Sequence, residues 1–501
     1  MKRSLSLYSY WFWMGIGFLS LILIGLLPWR FQVNDDEAMM WLVSGAYTGT
    51  PESYAVFIHP GLSWMFSVLY TGFPQISWYP VLWLGLIFFS YSALIRHVHQ
   101  KFGRNLTGIC WKLLLLGSLI HFSFFLQFSI VAAFCIAAGM VIRLGKIQSK
   151  SLNRFQFLPS DGLILAGILV RWEVGLLLIA GNLGTFLLWQ KGKDWQQASW
   201  IPLGLLILCA FAHRLYIKNS NLDQFEEINQ LRSQVFDHPM LQLEKEYWRE
   251  NNPQLYHFSN GFQDFQAGNL DQSTLQTWKK DLDSSRTEFL SVGFWLKAWS
   301  TFIRHEHFFL FLLGISLFLA ILDRRKPVLW TLTGIFLSFN LLIPFFLLKI
   351  QVFALAFFLL LMLQLLWTRE NGGAFRFPYP AVIGLLILGI AWHWVSIFSS
   401  GKNIPQNPEV KEIIRELESS GISEIYLVGE NKWYHDMVFE NPLPFKILGW
   451  PSLLEQQKGS FSSSKRAFLV QNKSYFPNET YFQNGNPRIQ HLDEFVLITY
   501  P

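Results

Sequence analysis

The sequence predicts an α-helical polytopic membrane protein carrying a small C-terminal α/β domain, and three observations lead there. Hydrophobic residues make up 51% of the 501-residue chain and charged residues only 15%, where soluble domains carry roughly 25% charged residues. Apolar runs of about 17–20 residues, enough helix to span about 30 Å of hydrocarbon, recur through residues 1–400. After Gly401 the pattern changes to one amphipathic helix and several short apolar strands.

Membrane crossings are expected near 10–29, 78–95, 106–121, 124–142, 159–171, 174–190, 198–215, 303–322, 328–347, 350–367 and 379–398. The first follows Lys2 and Arg3 as a signal peptide would. It is long and lacks a small-residue cleavage site before Arg30, so it reads as a retained helix. With the N-terminus cytoplasmic, the short inner segments hold sixteen Lys and Arg residues. The short outer turns hold three, Arg30, Arg171 and Lys349, a strong positive-inside asymmetry. This topology requires "VFIHPGLSWMFSVLYTGF" (56–73) to lie on or dip into the outer surface. It also requires 159–171 and 174–190 to count as two crossings, although the first is short; merging them would put "DRRKP" outside. The transmembrane domain is thus 1–400, with outer loops at 30–77 and 216–300, and the C-terminal extracytoplasmic domain is 401–501.

In that domain "NPEVKEIIRELESSG" (407–421) has helical periodicity and a Gly stop. "SEIYLVGE", "RAFLVQ" and "EFVLITYP" read as strands. No Gly-rich phosphate fingerprint appears, so a packing or partner-binding role is expected of it.

The net charge of +6 sits mainly in topology-setting loops, which argues against nucleic acid as a partner. Cys110, Cys135 and Cys209 lie in apolar segments without metal-ligand spacing. No HExxH, P-loop, G-x-S-x-G or CxxC pattern is present. In "RHEH" (304–307) a single helix would point His305 and His307 about 200° apart, so they could not share one ion.

The residues most in need of explanation follow the first crossing, in "FQVNDDEAMMWLVSGAYTGTPES" (31–53). Carboxylates beside hydrocarbon are costly unless paired, metal-bound or in a wet cavity. Asp35, Asp36 and Glu37 fit the first turn of a surface helix capped by Asn34 or Asp35; they also fit a reaction site, and the two readings are compatible. A Gly/Pro-rich turn and an amphipathic helix led by His59-Pro60 come next.

This order resembles the first outer loop of the GT-C superfamily of membrane glycosyltransferases, in which an acidic motif follows helix 1. Asp35-Asp36 matches that motif. His59-Pro60 through Trp64 matches, more loosely, the Pro-led aromatic segment that precedes helix 2 in several bacterial members; one Pro stands where some members have two. The resemblance covers roughly 1–400 by layout. It implies a GT-C-like fold and transfer of a sugar from a polyprenyl-phosphate-linked donor to a glycan, lipid or protein acceptor at the outer face of a plasma (inner) membrane, with a bacterial source expected. It implies Asp35 or Asp36 as general base, with a divalent cation (Mg or Mn) as an optional cofactor held by Asp35 and Asp36.

Glu37 and His59 then fall to substrate binding. "LVRWEV" supplies Arg171 and Glu173, and "FLLKIQ" supplies Lys349, where a lipid phosphate would lie. Their simpler accounts are an Arg171–Glu173 ion pair and snorkelling to the interface. In "EINQLRSQVFDHP", Asn229 and Arg232 share a helical face and Asp237-His238-Pro239 ends the helix; this is either a solvated helix or one side of an outer cavity. Competing functions are a transporter or flippase of lipid-linked saccharides, a polymerase or ligase, and a non-catalytic assembly subunit. Transport would call for midplane charges and inverted repeats, which are not evident.

Overall fold

A computed structural model describes residues 9–103, 105–148, 158–189, 194–265, 270–289, 291–322, 326–347, 349–367, 379–400, 408–429, 437–458, 465–470, 487–492 and 495–499. Each expected crossing holds a helix: α1 (Tyr10–Gly25), α4 (Trp78–Phe102), α5 (Leu106–Phe124), α6 (Phe128–Gln148), α7 (Leu158–Val170), α8 (Trp172–Trp189), α9 (Asp194–Asn219), α16 (His307–Leu322), α17 (Lys326–Leu342), α18 (Ile350–Trp367) and α19 (Tyr379–Ser400). Helices α4, α5, α6, α9 and α19 are individually long and apolar enough to cross a membrane. α5 and α6 form the buried centre of the bundle. The outer faces carry Phe18, Leu208, Phe211, Leu388 and Trp392, each more than half exposed. Apolar surface of that extent suits lipid, not water.

α7 and α8 meet at Arg171. α7 is about 20 Å long and is drawn tightly against α6. A Cβ on Gly139 of α6 would come within 2.6 Å of the Ser160 carbonyl, and one on Gly167 of α7 within 2.7 Å of the Ala132 carbonyl. Glycine at both positions lets the backbones touch. Several basic loop positions used for topology, including Lys150, Arg154, Lys191, Arg324, Arg369 and Arg376, lie outside the described residues.

The loop after α1 is tied to the bundle at its start. β1 (Arg30–Phe31) pairs in parallel with β2 (Phe125–Leu126), the link between α5 and α6, and the Gln32 N–H donates to the Leu126 carbonyl. The acidic cluster forms the first turn of α2 (Asn34–Ser44). The Pro-led stretch forms α3 (Pro60–Gly72). The long polar segment after α9 is a set of short helices: α10 (Asp223–Phe236), α11 (Pro239–Leu243), α12 (Lys245–Asn251), α13 (Pro253–Ser259) and α14 (Gln272–Ser285). α15 (Val292–His305) follows. The chain then turns by 95° at Glu306 into α16, so His305 and His307 belong to two helices and the crossing begins later than 303.

The C-terminal unit contains α20 (Pro408–Ser419), β3 (Glu424–Val428), β4 (Lys446–Ile447), α21 (Trp450–Gln457), β5 (Arg466–Val470), β6 (Arg488–His491) and β7 (Val496–Thr499). Its sheet runs β4-β3-β5-β7-β6; β4, β3 and β5 are parallel, and β7 is antiparallel to β5 and β6. The three expected strands are β3, β5 and β7. The unit docks on the first loop: the Tyr47 hydroxyl donates to the Ile447 carbonyl, the Leu443 N–H donates to the Ala46 carbonyl, and Lys458 pairs with Glu52 at 2.6 Å.

Candidate active site

A cavity of about 1050 Å³ opens between the first loop, α10, the α15–α16 break, the start of α18 and the C-terminal unit. Adjacent positions on α2 point in different directions, since each residue turns the helix by about 100°. Asp35 lines the cavity, and its Oδ1 accepts from the Trp450 indole N–H at 2.9 Å. Burial raises its carboxyl above the usual range, while the indole bond and the charges of Arg232 and Arg171 oppose that rise. Asp36 lies behind this wall, fully buried. Its Oδ1 accepts from the Tyr79 hydroxyl at 2.8 Å, and both oxygens accept from the Phe128 N–H at 3.2 Å. Burial pushes its carboxyl up to about 8 against those bonds. Glu37 is buried at the cavity edge.

The cavity also gathers Arg171, Arg232, Asp237 and Lys349. Arg171 lies over the Phe128 ring, 4.6 Å from its centre, and donates to the Ser129 hydroxyl. Arg232 is buried, with Nε on Asn229 Oδ1 at 2.9 Å and a terminal nitrogen on Gln263 Oε1 at 3.0 Å. Asp237 accepts from the Ser233 hydroxyl and lies 3.8 Å from Lys349. His59 and Glu173 do not line the cavity. His59 caps α3, its Nδ1 accepting from the Gly61 N–H and its Nε2 meeting the Cys209 carbonyl. Glu173 is a half-exposed partner of Arg171 at 3.9 Å. A metal shared by Asp35 and Asp36 does not fit, because both Asp36 oxygens are engaged behind the wall. Among the described residues no group of three or more His, Cys, Asp and Glu side chains is placed to hold an ion.

No family model matches the chain, and no curated protein matches it. Among solved structures, ArnT from Cupriavidus metallidurans bound to undecaprenyl phosphate is similar to it, with a TM-score of 0.43 and 12% identity, covering 97% of each chain. A likeness at that level identifies no residue and no activity.

Sequence reasoning missed several residues of the wall. Trp450 sits at the start of α21, in a tail read only for its periodicity. Arg30 lies 5.5 Å over the Phe125 ring. Gln32, His121, Glu306 and Gln351 also face the cavity. Glu306 lies within "RHEH", where the metal-binding residue type is histidine and the glutamate between gives no signal of its own. The glutamines gave no signal.

Proposed function

We propose that this protein is a GT-C-type membrane glycosyltransferase, moving a sugar from a polyprenyl-phosphate-linked donor to an acceptor hydroxyl at the outer face of the membrane. The observation that carries this reading is one cavity holding the Asp35 carboxylate together with the Arg171, Arg232 and Lys349 cations. The acceptor oxygen attacks the anomeric carbon while the bond from that carbon to the phosphate oxygen breaks. The phosphate leaves with the electron pair, and the acceptor proton passes to Asp35. A carboxylate whose affinity for protons is raised by burial is a better base than a solvated one, and such a step is typically worth about 10²–10⁴-fold. Arg171 and Lys349 take up the charge on the departing phosphate.

Beside them, Ser129, the partner of Arg171, and Gln351 line a small apolar gap of about 10 Å³ together with Val174, Leu178 and Leu355. No step is routed through a metal, and a chelator arm in the assay tests that choice.

Purified protein in lipid, incubated with a panel of polyprenyl-phosphate sugars and candidate acceptors, should consume one donor. Asp35→Asn should reduce turnover by at least about 10²-fold. Full activity in that variant removes Asp35 as the base. Translocation of the donor across vesicles without transfer would favour the transport reading.

A further inference from the structure

A second polar cluster in the cavity wall has no part in the chemistry above. Glu306, at the break between α15 and α16, is only 5% exposed. Its Oε1 accepts from Gln32 Nε2 at 2.6 Å and from Gln351 Nε2 at 2.8 Å, and its Oε2 faces His121 Nε2 at 3.5 Å. An ionised carboxylate can only accept, so both carboxamides must turn their NH₂ groups toward it. Both amide oxygens are thereby directed elsewhere. Gln32 Oε1 has no hydrogen-bond partner among the described residues, and a buried acceptor left unmet is costly.

The Gln32 side chain lines the cavity, so a hydrogen-bond donor bound there is what would meet it. The cations Arg30, Arg171, Lys245 and Lys349 in the same walls disfavour a cationic ligand and leave neutral hydroxyls. Position selects which hydroxyls. Gln351 is two residues beyond Lys349, and it lines the same small apolar gap as Ser129, the partner of Arg171. The cluster therefore adjoins the place assigned to the donor phosphate. We propose that Gln32, Gln351 and Glu306 form a subsite that binds the hydroxyl groups of the sugar carried on that phosphate. Gln32 Oε1 accepts from one hydroxyl, and Glu306 holds the two amides in the orientation that makes this work. This deepens the glycosyltransferase reading and rests on it.

The test compares binding of decaprenyl phosphate with that of decaprenyl-phosphate hexose or pentose, and of deoxy forms of each, to the full-length purified protein, with turnover followed in parallel. Gln32→Leu should weaken sugar-loaded lipid by at least about tenfold and leave bare decaprenyl phosphate unchanged. One deoxy donor should bind wild type and Gln32→Leu equally. Glu306→Gln should show the same preference for damage to loaded lipid, guarding against a folding defect in either variant alone. Equal affinities of wild type and both variants for loaded lipid overturn the subsite. Parallel loss of bare and loaded lipid in both variants overturns it too. If wild type transfers sugar, Asp35→Asn does not and Gln32→Leu behaves as wild type, the subsite alone fails. If wild type neither transfers nor prefers loaded lipid, the glycosyltransferase reading fails with it.

Discussion

Asp35 and Asp36 are the same residue type one position apart, and their surroundings separate them completely. Asp36 holds the Tyr79 hydroxyl and the Phe128 N–H, so it ties α2 to α4 and α6. Asp36→Ala should lower stability by about 1–3 kcal/mol for each donor left unmet, read by thermal unfolding in detergent. Asp35→Asn keeps a side-chain oxygen for the Trp450 indole, so its unfolding transition should stay close to that of wild type while turnover falls by at least about 10²-fold. The raised Asp36 carboxyl also sets a pH slope. Folding takes up a proton between its ordinary 3.8 and about 8, so the stabilisation is complete below that range and lost as pH rises through about 8. Unfolding scans from pH 5 to 9 should show the decline, and Asp36→Asn should flatten it. The sequence marks this pair as unusual without ranking its members. The ranking depends on Tyr79, Phe128 and Trp450, which are distant along the chain and show no periodic relation to it.

At the scale of elements, the apolar runs were readable because a helix in lipid satisfies its own backbone bonds, leaving hydrophobicity and length as sufficient signals. The strands β1, β2 and β4 hold two residues each, too few for any alternation, and they exist only through their partners. The α15–α16 break defeated the phase argument at "RHEH" for a similar reason: helical phase has meaning only along an unbroken axis. Contact between α6 and α7 offers a test. Gly167→Val places branched carbons against the Ala132 carbonyl, where overpacking costs about 1–3 kcal/mol. Because Arg171 follows one turn later, the variant should raise the KM for donor more than it lowers kcat. Unchanged donor KM would mean that α7 does not position Arg171.

For the whole molecule, the change of pattern after Gly401 suggests a separate unit but does not show how that unit relates to the site. Val428, Gly429, Gly449 and Trp450 of the C-terminal unit are part of the cavity wall, and Trp450 reaches Asp35 across 415 positions of sequence. Periodicity finds elements within a unit and says nothing of what one unit lays against another. Trp450→Phe keeps the ring against Phe57 and removes the indole donor that holds the Asp35 carboxyl down. Its carboxyl should rise further, moving the acid limb of kcat/KM to higher pH with little change at alkaline pH. A uniform loss across the profile would instead point to a packing role.

The bond between Trp450 and Asp35 also has a consequence for biosynthesis. Asp35 emerges early from the ribosome, whereas its partner is made only after the bundle helices have been inserted. Until then the carboxylate stands without its roof. A cysteine placed at position 35 should react with an impermeant maleimide in nascent chains stalled before Trp450, and lose that reactivity once the remainder is synthesised and docked. Completion of the cavity wall would then be a late event in the protein's maturation.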